Sequence, residues 1–205
     1  MNERSLISKF AMPSNIETNK TKIVTAATDC FIAKGFHSTS MRDIANAAGV
    51  SLGNIYNHFS RKTDLILAIS EEETAGVAEA GEYFATTKID TLPAIHAFLT
   101  EYLKEASKAG IGVLMIEIAA EASRNKEVAD AFHNNRKQLC QGISEFLQAG
   151  QIKGHINSEV NCGQAAELIL DIVEGLATRT CLTGKAPSRA AVKEMNRLVE
   201  RYLGV

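Results

Sequence analysis

Between Ser51 and Lys62 the chain concentrates side chains suited to reading a polyanion. If residues 52–58 form a helix anchored through Ile55 and closed by Phe59, then Ser51, Leu52, Gly53, Asn54, Asn57 and His58 face outward. Small residues there let a backbone approach a partner closely, and an asparagine amide can pair bidentately with adenine in the DNA major groove. Tyr56, His58 and Lys62 add a hydroxyl, an imidazole and an ammonium near the end of that helix. Such donors can hold phosphates and fix register. The competing reading is a structural three-helix cap whose polar face meets only water.

A short helix of this kind needs neighbours to hold it. Ile23, Ala26, Ala27, Cys30 and Phe31 recur at i, i+3, i+4, i+7 and i+8, which predicts a first helix over 19–34, with Gly35 as its left-handed cap. Ser40 and Asp43 form an S-x-x-D capping box for a second helix over 41–48, with Met41, Ile44, Ala45 and Ala48 on its buried face. Gly49 turns the chain and Ser51 caps the third helix, which Val50, Ile55 and Phe59 anchor to the first two. Helix, glycine turn, helix is the geometry that sets a recognition helix in the major groove.

Further on, a longer helix starts near Lys62 with Leu65, Ile66 and Ile69, ahead of the acidic run 71–73. The spacing predicts helices over 91–108, 111–123, 126–150, 161–182 and 188–203, with a turn over 150–158. Apolar residues recur at 3 and 4, and Pro13, Pro93 and Pro187 can each lie outside a helix or at its start. The expected fold is all-α, about nine helices. It divides into a polar N-terminal arm (1–19), a three-helix helix-turn-helix domain (20–65) and a C-terminal helical bundle (66–205).

The 205 residues, 45% apolar and 22% charged, suit a soluble globular protein. No run of 18 apolar residues suggests a membrane span, and the N-terminus lacks the pattern of a secretory signal, so a cytoplasmic location is expected. The net charge of −2 hides an asymmetry. Residues 1–64 hold eight Lys/Arg against five Asp/Glu, and residues 65–205 fourteen against nineteen. A basic head on an acidic body suits a head that meets phosphate, although chance scatter gives the same totals. Cys30, Cys140, Cys162 and Cys181 show no C-x-x-C, which predicts reduced, buried thiols, with a redox switch as the alternative. His133 and Cys140 are too few to hold a metal, so neither metal nor cofactor is expected. No nucleophile–base arrangement or glycine-rich phosphate loop points to an enzyme. A helical interaction module that binds no DNA remains the other alternative.

The stretch 21–65 resembles the DNA-binding domain of the TetR/AcrR family of transcriptional regulators. The residues that carry the likeness are Ala26, Ala27, Phe31, Gly35, Thr39, Ser40, Ile44, Ala45, the run 48–51, Gly53, Ile55, Tyr56, His58, Phe59, Lys62 and Leu65. Asp64 stands where the family more often has glutamate. The resemblance implies that Tyr56, His58 and Lys62 contact the phosphate backbone and that Ser40 and Arg42 meet backbone or base. It also implies that Gly53, Asn54 and Asn57 face base edges. Residues 124–139 and 171–179 resemble the family's seventh and eighth helices. By that likeness the chain is a homodimeric repressor, paired through its last two long helices and released from a palindromic operator by a small-molecule effector. Pairing sets two recognition helices one DNA turn, about 34–36 Å, apart.

For the effector the sequence offers candidates only. Residues 111–123 are apolar almost all round except Glu117 and Glu121, spaced i, i+4, which predicts a helix buried on most sides. Those carboxylates either form a solvent stripe or pair with arginine, or else one lines a cavity and receives a cationic or hydrogen-bonding ligand. Phe98, Tyr102, Met115 and Ile118 are either pocket lining or plain core.

Overall fold

The structure is a computed structural model that describes residues 18–108 and 110–204. The described residues form nine α-helices and no strand. They are α1 (Asn19–Lys34), α2 (Met41–Ala48), α3 (Leu52–His58), α4 (Lys62–Thr86), α5 (Thr91–Ala106), α6 (Ile111–Ala122), α7 (Lys126–Ile152), α8 (Cys162–Thr183) and α9 (Arg189–Leu203). The arm expected over 1–19 falls, except for its last two residues, outside the described residues, as does Pro13.

Local chemistry explains where the first helices begin. Thr18 Oγ1 accepts the Thr21 N–H at 3.2 Å and starts α1. Ser40 and Asp43 close a reciprocal capping box on α2, with Asp43 N–H on Ser40 Oγ at 3.1 Å and Ser40 N–H on the Asp43 carboxylate at 2.9 Å. Ser51 Oγ takes the Asn54 N–H at 3.1 Å and starts α3. Each such cap contributes on the order of 1 kcal/mol. Pro93 sits in the first turn of α5, where its missing N–H costs nothing, and Pro187 precedes the Ser188 cap of α9.

The chain divides into two compact units. One comprises residues 18–75 and 110–135. Its core holds Ile23, Ala27, Phe31, Ile44, Ile55, Phe59, Leu65 and Ile66, together with Leu114 and Ile118 of α6 and Val128 of α7. Sequence order conceals that α6 packs among the first four helices. Val113 and Met115 of α6 remain exposed, so this helix is buried on one face and not on most sides as its composition suggested. The other unit comprises residues 76–108 and 136–204. Ile95, Phe98 and Leu99 of α5, Ile143 and Leu147 of α7, and Ile169, Leu170 and Val173 of α8 fill its core. Gly150 is required there, because a Cβ would lie 2.8 Å from the Thr91 side chain and 2.9 Å from Ile156.

Helix ends differ from expectation by a turn or less. α5 stops at Ala106, where Ser107 N–H closes on the Leu103 carbonyl at 2.9 Å, and α7 continues to Ile152.

Candidate nucleic-acid interface

A seven-residue helix is marginal alone, so α3 must be held by packing. Ile55 is fully buried and Phe59 nearly so, each contributing about 1.5–3 kcal/mol. Anchoring at Ile55 decides which residues face away. Gly53, Tyr56 and Asn57 recur at i, i+3 and i+4 on the opposite side, and all three are exposed, Tyr56 at 51%. His58 is also exposed, its ring tilted against Phe59 with centroids 6.4 Å apart. Ser51 is exposed but engaged as the cap. Leu52 is half-buried against the core, and Asn54 is half-buried with its Oδ1 shielded and without a hydrogen-bond partner.

The cations of this unit are deployed unevenly. Lys34 pairs with Asp43 at 2.9 Å. Arg61 grips Asp64 at 2.7 Å and reaches Glu127 at 3.3 Å. Arg42, on α2, is exposed and makes no ion pair among the described residues. Ser40 bonds Asp43, and the Asp43 carboxyl is held well below the usual range, first by the Ser40 hydroxyl and then by Lys34 and the Ser40 N–H.

Lys62 opens α4 and is half-buried. Its ammonium turns inward, donating to the Phe36 carbonyl, to Thr39 O at 2.7 Å and to His37 O at 3.3 Å, and it sits 4.4 Å from the centre of the Phe36 ring. Burial pushes its pKa down, with Glu121 opposing. Lys62 therefore acts on the turn between α1 and α2. The rest of that turn is satisfied from two sides. Thr39 Oγ1 donates to Gly35 O at 2.8 Å, and the Phe36 N–H donates to Glu117 Oε2 of α6 at 2.8 Å. Gly35, at φ 83°, leaves room for that carboxylate, since a Cβ would lie 3.3 Å from its oxygen. Glu121 accepts the Asn125 amide at 3.2 Å and lies 3.5 Å from His37 Nε2. Sequence reasoning had no signal for these links, because a backbone acceptor leaves no mark on composition.

The six effector candidates divide between the units. Phe98 and Tyr102 belong with α5, and Met115, Glu117, Ile118 and Glu121 with α6. Phe98 packs against Phe84 and Tyr102 at 5.0 and 5.8 Å, and Ile118 is core, whereas Met115 is exposed at 41%. Tyr102 donates to Glu174 at 3.4 Å; Arg136 bridges Glu174 and, at 2.6 Å, Asp171. Burial raises the Glu174 pKa against the pull of Arg136. Burial also raises the pKa of the Cys30, Cys140 and Cys162 thiols, which lowers their thiolate fraction.

Comparison with known proteins places this geometry in context. Residues 23–69 match the profile described as bacterial regulatory proteins, tetR family, and residues 93–204 that of the BetI-type transcriptional repressor C-terminal domain. The HTH-type transcriptional regulator UidR of Escherichia coli K12 is 28% identical over 170 residues, covering 80% of this chain and 83% of its own. The structure of Salmonella enterica GusR superposes with a TM-score of 0.78 at 26% identity, over 94% of this chain and 100% of that one. FadR from Bacillus subtilis, solved in complex with stearoyl-CoA, shares the fold with a TM-score of 0.76 at 18% identity, over 89% and 97%.

Proposed function

The chain belongs to the TetR family of bacterial regulatory proteins, and from that premise we propose that it represses transcription as a homodimer on a palindromic operator until a small-molecule inducer releases it. The observation that carries the reading is the outer face of α3, where Gly53, Tyr56 and Asn57 stand exposed together on a helix fixed from behind by Ile55 and Phe59. In the major groove Gly53 admits the backbone close to the bases and Asn57 reads an edge. Tyr56, His58, Ser40 and Arg42 hold phosphates on either side. Ser51, Leu52, Asn54 and Lys62 set the position of α3 and of the turn before α2. No helix among the described residues is long and apolar enough to cross a membrane, in keeping with a cytoplasmic regulator.

Dimerisation is supported by exposed apolar positions on the last two helices. On α8, Leu168, Gly175 and Leu182 recur at steps of seven and all are exposed, Leu182 at 73%. On α9, Leu198 and Tyr202 are exposed at 55% and 42%. Such a stripe suits pairing with a second copy, which would set the two α3 helices about 34–36 Å apart.

The inducer acts by binding one state of the dimer more tightly than the other, by a coupling of typically about 1–3 kcal/mol. α6 offers a route, because Glu117 bonds the Phe36 N–H at the turn that leads into α2. The stearoyl-CoA on the Bacillus FadR supports a small-molecule effector for a protein of this fold, without defining its chemistry here.

Selection from a pool of randomised duplexes, followed by sedimentation of the complex, tests the proposal. The expected product is an inverted repeat carrying two chains. An asymmetric site carrying one chain overturns the dimeric reading, and no enrichment overturns DNA recognition.

A further inference from the structure

On the unit of residues 76–108 and 136–204, α9 presents two unlike flanks. One carries the exposed Leu198 and Tyr202. The other borders an open cleft of about 530 Å³, which it shares with His96 of α5. Arg189, Lys193 and Arg197 line that cleft at i, i+4 and i+8, a single face of the helix. At 100° per residue they lie roughly 100–180° around the axis from Leu198 and Tyr202, so pairing through the apolar flank leaves the cleft open.

Two observations make this more than a solvated charged face. First, like charges at i, i+4 repel, and little here relieves them. Arg197 has Glu194 at 3.6 Å and Glu200 lines the cleft, whereas Arg189 and Lys193 make no ion pair among the described residues. The concentration of positive charge stands out in a stretch, 65–205, with fourteen basic residues against nineteen acidic ones. Second, His96 Nε2 and Asn196 Oδ1, both on cleft-lining residues, are buried and have no hydrogen-bond partner. A buried polar atom left unpaired is costly, so a group that satisfies it binds the more tightly. A half-turn of the Asn196 amide turns its NH₂ toward the same place.

We propose that this cleft binds a small anionic molecule bearing a carboxylate or phosphate group. Arg189 and Lys193 pair with its charge, His96 and Asn196 complete its hydrogen bonds, and Val192 supports its apolar part. The cleft volume falls within the roughly 300–1,000 Å³ usual for small-molecule sites.

The test uses the full-length protein with histidine rings isotopically labelled, titrated separately with inorganic phosphate and with citrate, ionic strength being held constant with sodium chloride. Of the five histidines, the His96 ring resonance should shift saturably. Loss of its charge-assisted contacts should weaken binding about tenfold or more in the R189Q/K193Q double variant, with K193R retaining it. K153Q, at an exposed lysine of the same unit outside the cleft lining, should bind as the parent does. The tighter of the two probes distinguishes a phosphate from a carboxylate site. Absence of saturation, parental affinity in the double variant, or equal loss of binding in K153Q, would each overturn the proposal.

Discussion

The bond from the Phe36 N–H to Glu117 joins residues 81 positions apart and offers a sharp perturbation. In Glu117→Ala the amide of Phe36, a residue only 5% exposed, loses a charged acceptor at 2.8 Å. A hydrogen bond to a charged group contributes about 1.5–3 kcal/mol, and solvent cannot fully replace it at a part-buried site. The free energy of local opening should fall by that amount, so that the Phe36 amide exchanges with solvent roughly ten- to a hundredfold faster. Glu117→Gln keeps an oxygen acceptor without the charge and should fall between parent and alanine variant. Native-state hydrogen exchange resolved at Phe36 measures this directly, with the Ile169 amide in the other unit as the unmoved control. Exchange at Phe36 that stays at the parental rate in Glu117→Ala refutes the assignment of α6 as a support for the turn before α2.

Three further outcomes follow from the same geometry. Leu198→Glu places a carboxylate on an exposed apolar stripe and should leave the fold intact while sedimentation finds a monomer; a stable dimer would remove α9 from the proposed interface. Asp43 has its pKa lowered in the folded state, so the stability it adds is full above the ordinary carboxylate pKa and is lost as pH falls through the folded one. The thermal-midpoint gap between parent and Asp43→Asn should thus be widest near neutrality and narrow below about pH 4; a constant gap contradicts the capping box as its source. Arg42→Gln should flatten the dependence of log affinity on log salt by about 0.9, the share of one phosphate, and an unchanged slope would remove Arg42 from the contacts.

Much of the first three helices is legible in the sequence because their determinants are local. Thr39-Ser40 with Asp43, Ser51 ahead of Leu52, and the 3–4 spacing of Ile23 to Phe31 each act within a turn or two, and the structure keeps them. Exposure of Tyr56 and Asn57 follows from the burial of Ile55, so the outer face of α3 could be read in advance. Lys62 could not, because its partners are carbonyls of residues 36, 37 and 39, which any side chain could carry. Nor could the place of α6, since periodicity tells which face of a helix is apolar but not which core receives it. The cleft on α9 could not be read in advance either, because only the fold brings His96 beside Arg189, Lys193 and Arg197.

The proposed reading of bases by the outer face of α3 is tested most directly by Asn57→Ala. Affinities of parent and variant are compared on the selected operator and on a scrambled duplex of equal length, at one salt concentration. A bidentate contact to a base is worth about 1–3 kcal/mol, so the variant should lose roughly five- to 150-fold on the operator and almost nothing on the scrambled duplex. Equal affinity of variant and parent on the operator would contradict the placement of this face in the groove.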